Sequence, residues 1–97
     1  MSSEGYHEPI EEMTDEVRDF HRAVVSLMEE LEAVDWYNQR VAACKNKELA
    51  RILAHNRDEE IEHASMVLEW IRRNNKRFDH ELREYLFKDG PIKDHNG

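Results

Sequence analysis

The chain has 97 residues, of which 39% are hydrophobic and 37% charged, with only 3 Gly and 2 Pro. That length admits at most one small domain, and that mix suits long charged helices with a narrow apolar stripe better than a self-sufficient globule. A net charge of −8 argues against a nucleic-acid partner and favours attraction of cations, and no apolar run approaches the ~20 residues of a membrane span.

Residues 1–8 read as a polar tail. Glu4-x-x-His7 occurs there, but it lies beside Gly5 and ahead of Pro9, and without a helix its spacing carries no meaning. The opening Met1-Ser2-Ser3-Glu4-Gly5 has neither a basic nor an apolar region of the kind a signal peptide needs, so none is expected. Cys44 is the only cysteine; an intrachain disulfide is excluded, and a reducing, cytoplasmic compartment is expected. Residues 9–91 read as a single helical domain and 92–97 as a second polar tail.

Pro9 suits the first position of a helix, and Glu11 and Glu12 favour its positive end. From there Ile10, Met13, Val17, Phe20, Val24, Leu27, Leu31, Val34 and Val41 recur in steps of three and four, with Asn38 as the one polar member. Such a seam predicts one unbroken helix from Pro9 to Ala43 or Cys44, running through Thr14 and Asp15, which would otherwise serve as a helix start. Lys45-Asn46-Lys47 is the turn, with Asn46 as N-cap and Glu48 in the first turn of the next helix. A link this short sends the second helix back antiparallel.

The second helix is predicted over 47–74. Leu49, Ile52, Asn56, Glu59, His63, Met66 and Trp70 fall on one line, and Leu53, Ile61, Ala64, Leu68 and Ile71 on a neighbouring one. The first line is apolar at its ends and polar in its middle, a costly break unless something satisfies it. Asn74-Asn75 ends this helix, and a short third helix is predicted from Phe78 to Phe87, stopped by Gly90-Pro91. The fold class is therefore all-α: an antiparallel two-helix hairpin plus a short C-terminal helix. So short a hairpin is expected to bury its remaining apolar surface against a second copy, as a four-helix bundle.

Within the polar break stands Glu60-x-x-His63. Three residues make nearly one helical turn, so both side chains leave the same face and are able to grip one metal ion. Glu30, flanking the first seam, is about as far before the turn as Glu60 and His63 are after it, which puts the three at one height. One Glu plus one Glu-x-x-His is half the ligand set of a dinuclear carboxylate bundle, and a two-fold axis would double it. Mixed oxygen and nitrogen ligands suit iron; zinc and manganese are not excluded. A histidine bonded to Glu59 or Glu60 and a solvated acidic run at Glu30 would explain the same letters, leaving a helical assembly module without catalysis as the rival. His55 and Glu59 read as a surface hydrogen bond. His21, His80 and His95 lack a carboxylate upstream at ligand spacing, and Met66 and Trp70 read as interface core. Trp36 and Tyr37 flank the site and pack by default, while Glu29 and Glu32 face outward.

The run Met28-Glu29-Glu30-Leu31-Glu32-Ala33-Val34-Asp35-Trp36-Tyr37, then Ile52-Leu53-Ala54-His55-Asn56-Arg57-Asp58-Glu59-Glu60 with Glu62-His63, resembles the encapsulated ferritin family. Leu68-Glu69-Trp70 and Tyr85-Leu86-Phe87 with Gly90-Pro91-Ile92 extend the likeness over roughly residues 7–92. The resemblance implies a two-helix protomer, a ferroxidase site made at a dimer interface of a ferritin-like four-helix bundle, and a decameric ring of dimers. It implies that Glu30, Glu60 and His63 are iron ligands with Tyr37 close by, and that Glu29, Glu32 and Trp36 belong to an outer site where metal first arrives. Iron is the implied metal, with zinc, manganese or calcium as substitutes. The implied partner is an encapsulin shell protein, and the implied location is inside an encapsulin nanocompartment. Members carry a C-terminal shell-docking peptide, which this sequence, closing on Asp94-His95-Asn96-Gly97, does not show.

Overall fold

A computed structural model describes residues 5–94 of the chain. The Glu4-x-x-His7 pair and His95 therefore fall partly or wholly outside the described residues. In order come a single 3-10 turn at Ile10–Glu12, then α1 (Asp15–Ala43), α2 (Lys47–Asn74) and α3 (Lys76–Tyr85). The described residues are all-helical, with α1 and α2 paired as a hairpin and α3 packed on the end of α2.

The unbroken first helix expected from Pro9 is not what forms. Met13 (φ −101°, ψ 136°) and Thr14 (φ −70°, ψ 164°) are extended and separate the 3-10 turn from α1. The Thr14 hydroxyl accepts from the Val17 backbone N–H at 3.2 Å, satisfying a donor that a continuing helix would have bonded itself. A seam of apolar residues carries no information about the backbone between them, and Ile10 and Val17, on either side of the break, are both substantially exposed. Arg18 holds the preceding turn in place by donating to the Ile10 carbonyl at 2.5 Å. The Tyr6 ring lies 4.3 Å from the His21 ring, so the chain before Pro9 also meets α1.

The turn follows the expected chemistry: Asn46 Oδ1 accepts from the Leu49 N–H at 3.0 Å. Asn75 ends α2 and caps α3, its Oδ1 accepting from the Phe78 N–H at 2.8 Å. That cap starts α3 at Lys76, two residues before the expected Phe78, and the helix closes at Tyr85. Phe87 is left-handed (φ 59°), and Gly90 (φ 83°) takes a conformation that costs glycine little. The α2–α3 corner is bound by charge. Arg72 reaches Glu69 at 2.8 Å and Asp79 across the corner, while Arg73 reaches Glu69 at 2.7 Å and Arg83 reaches Asp79 at 2.9 Å. The Arg72 and Arg73 guanidinium groups hold the Glu69 carboxyl down to about 2, and Arg72 and Arg83 lower that of Asp79.

Burial is sparse. Ile71 is completely buried and Ala64 nearly so, both on α2, while Phe20, Val24, Leu27 and Val34 of α1 are half-buried. Phe20 and Phe78 bring α1 and α3 together with ring centroids 6.2 Å apart. Replacing Ile71 by alanine is expected to cost about 2–5 kcal/mol, read as a lower urea midpoint of the metal-free protein, because a fully packed branched side chain leaves a cavity. The chain exposes 8021 Å², whereas a compact monomer of its mass, 11.6 kDa, would expose about 5,800 Å². Its radius of gyration is 17.1 Å against about 12.5 Å for a compact domain of this length. Leu31, Ile52, Met66 and Trp70, expected in seams, are all substantially exposed in the single chain. Much of the apolar surface of the hairpin is thus left open to solvent in the single chain.

Candidate metal centre

The hairpin brings Glu30 of α1 opposite Glu60 and His63 of α2. His63 Nδ1 lies 3.6 Å from Glu30 Oε2 and 3.8 Å from Glu60 Oε2. One ligand atom from each of the three lies within 4.8 Å of the others. Donors bound to one first-row ion at ~2.1 Å stand up to ~4.2 Å apart, so the three lie within a few tenths of an ångström of ligating separation. Among the described residues this is the one cluster of its kind.

Its electrostatics also suit a cation. The two carboxylate side chains retain about a quarter of their exposure, 26% for Glu30 and 25% for Glu60, while His63 keeps 44%. Glu30 Oε2 is buried and makes no hydrogen bond. An orphaned carboxylate oxygen is costly, and a bound cation would satisfy it. The Glu30 carboxyl is pushed above its ordinary value, first by the neighbouring Glu60 carboxyl, which favours a proton on the pair, then by lost hydration and by the Glu60 charge, with His63 opposing. Two crowded carboxylates of this kind are a site that a metal ion would relax. The donor set of two carboxylates and one imidazole therefore fits iron, and fits zinc or manganese by the same chemistry.

The other sequence-predicted residues stand apart from this cluster in the single chain. Tyr37 is half-buried seven residues past Glu30, about 10 Å along the helix, and the Arg40 guanidinium lies 5.1 Å over its ring. Glu29 and Glu32 are exposed on α1, and Trp36 is 50% exposed. His55 and Glu59 make an exposed contact at 3.5 Å, as their spacing suggested. Sequence reasoning passed over Arg57. Its guanidinium donates to Asn38 Oδ1 at 3.1 Å, tying α2 to α1 one turn from Glu60. The signal was present, since Asn38 is the lone polar member of its seam.

Residues 5–89 match the family described as EncFtn-like. The chain is 60% identical over 92 residues to a protein of Rhodospirillum rubrum named encapsulated ferritin-like protein, a match covering 95% of this chain and 66% of that one. It is 57% identical over 90 residues to a Thermotoga maritima protein named ferritin-like protein, covering 93% of this chain and 79% of the relative. The chain thus spans 66% of the length of the first of these relatives. A crystal structure of a Nitrosomonas europaea protein, 67% identical, superposes with a TM-score of 0.88 over 93% of this chain and 99% of its own.

Proposed function

The chain belongs to the EncFtn-like family, and from that premise we propose that it is a ferroxidase, oxidising Fe(II) to Fe(III) with dioxygen at a di-iron site completed by two copies of the chain. The single observation behind this reading is the convergence of Glu30, Glu60 and His63, with Glu30 Oε2 buried and unbonded. One chain offers too few donors for two ions, and the cluster lies on a hairpin that leaves Leu31, Ile52, Met66 and Trp70 substantially exposed. A second copy on that face would bring a second Glu30, Glu60 and His63.

In this reading Fe(II) is the substrate, and each ion gives up one electron to dioxygen. Glu30 and Glu60 supply the negative charge that gathers Fe(II) and stabilises Fe(III) more strongly still. Metal binding draws on the ionised form of Glu30, whose carboxyl is raised above its ordinary value by its Glu60 neighbour. His63, the neutral donor, leaves the charge of the site to the carboxylates. In the assembly Tyr37 tunes the site, although in the single chain it stands apart from the three ligands, and Glu29, Glu32 and Trp36 form an outer site of first contact. The assembly is a decameric ring, held in the cytoplasm inside an encapsulin nanocompartment that stores the oxidised iron.

The test is dioxygen consumption when Fe(II) is added to wild-type protein. Uptake well above that of buffer is expected. Metal retained without dioxygen uptake would instead make the chain a zinc or manganese binder, and neither retention nor uptake would leave a helical assembly module.

A further inference from the structure

We infer that Asn38 and Arg57 are positioning residues that set the register and rotation of α1 against α2, and so hold Glu30 opposite Glu60 and His63. This rests on the metal reading above. Apolar contacts along a helix pair have little direction. A hairpin held by them alone can rotate or slide by an ångström or more at small cost. A metal site tolerates much less, because ligand atoms need placing within about 0.5 Å. The Arg57-to-Asn38 bond, 3.1 Å long and joining residues 19 apart in the chain, is directional and crosses the pair. It lies one helical turn from Glu60 on α2 and two turns from Glu30 on α1. Asn38 is the one polar member of an otherwise apolar seam, and it is exposed in the single chain. A single polar residue in such a seam trades stability for register. Arg57 is steadied in turn by Asp58 at 3.1 Å, and only 27% of its side chain is exposed.

Charge alone predicts the opposite of what this pair does. A guanidinium one turn from Glu60 repels a metal ion, so deleting it should tighten binding if electrostatics were its only role. The experiment compares the assembled full chain with Asn38→Leu, Arg57→Met and the double variant. Co(II) affinity is read by optical absorption and apo thermal midpoint by circular dichroism. Each single variant is expected to bind Co(II) about tenfold or more weakly, the scale of lost outer-shell support. The double variant should be no worse than either single one, and Asn38→Leu should keep or raise the apo midpoint. Wild-type affinity in both single variants, tighter binding by Arg57→Met, additive losses in the double variant, or affinity that falls only in step with the midpoint would each overturn the assignment. A wild-type chain that takes up no Co(II) would overturn the metal reading, and the positioning role with it.

Discussion

Replacing His63 by alanine is expected to slow Fe(II) oxidation at least a hundredfold, about 2.7 kcal/mol of lost transition-state stabilisation. The helix should survive the change. His63 is 44% exposed in the single chain and its nearest polar neighbours are the two carboxylates, so alanine removes a donor and leaves the core at Ala64 and Ile71 intact. Glu30→Gln is the companion variant. It keeps the shape and a hydrogen-bonding head but withdraws the charge, and it should lose activity comparably. Because it also relieves the crowding of Glu30 and Glu60, it should raise the thermal midpoint of the metal-free protein. Activity lost together with stability in both variants would point to misfolding. Wild-type rates in both would remove the cluster from the chemistry.

Assembly is expected to depend on metal, and the dependence to strengthen with pH. Without a cation, a second copy brings two more carboxylates to a poorly hydrated face, and repulsion opposes the apolar gain. Metal at a hundred times its dissociation constant favours the bound assembly by about 2.7 kcal/mol per site. Mass measured during anaerobic Fe(II) titration should therefore shift from small species to larger ones. The sign with pH follows from Glu30. Its carboxyl is raised above the ordinary 4.5, so the metal-free fold gains from its retained proton most fully below that value. The gain is lost as pH rises through the raised value. Metal needs the same carboxyl ionised, so its affinity and the assembly it drives climb across that window. A mass distribution indifferent to Fe(II) at every pH would sink the linkage.

Acid should act in the opposite sense on the α2–α3 corner. Glu69, held at about 2, contributes stability that is complete above its ordinary 4.5 and fades only as pH falls toward 2. The corner and the Glu30–Glu60–His63 cluster thus respond to different pH ranges because one set of carboxylates faces guanidinium groups and the other faces its own kind.

The sequence alone determined what is decided within a turn or so of backbone. Asn46 and Asn75 each bond an N–H three residues on, and α2 runs over the residues predicted for it. Glu60 and His63 share a face because of helical pitch, and a short turn places Glu30 at their height. Thr14 carried a local signal too, and it was outvoted by a seam that is blind to the backbone. Tertiary packing decided how each helix is rotated about its own axis. Glu59 falls on the predicted seam line, yet it is exposed with His55 while Glu60 meets Glu30 of α1. Neighbouring residues differ by about 100° around a helix, and only contact with the facing helix chooses between them. The same contact buried Ile71 and left Met66 and Trp70 exposed, and it paired Asn38 with an arginine that no spacing rule had linked to it.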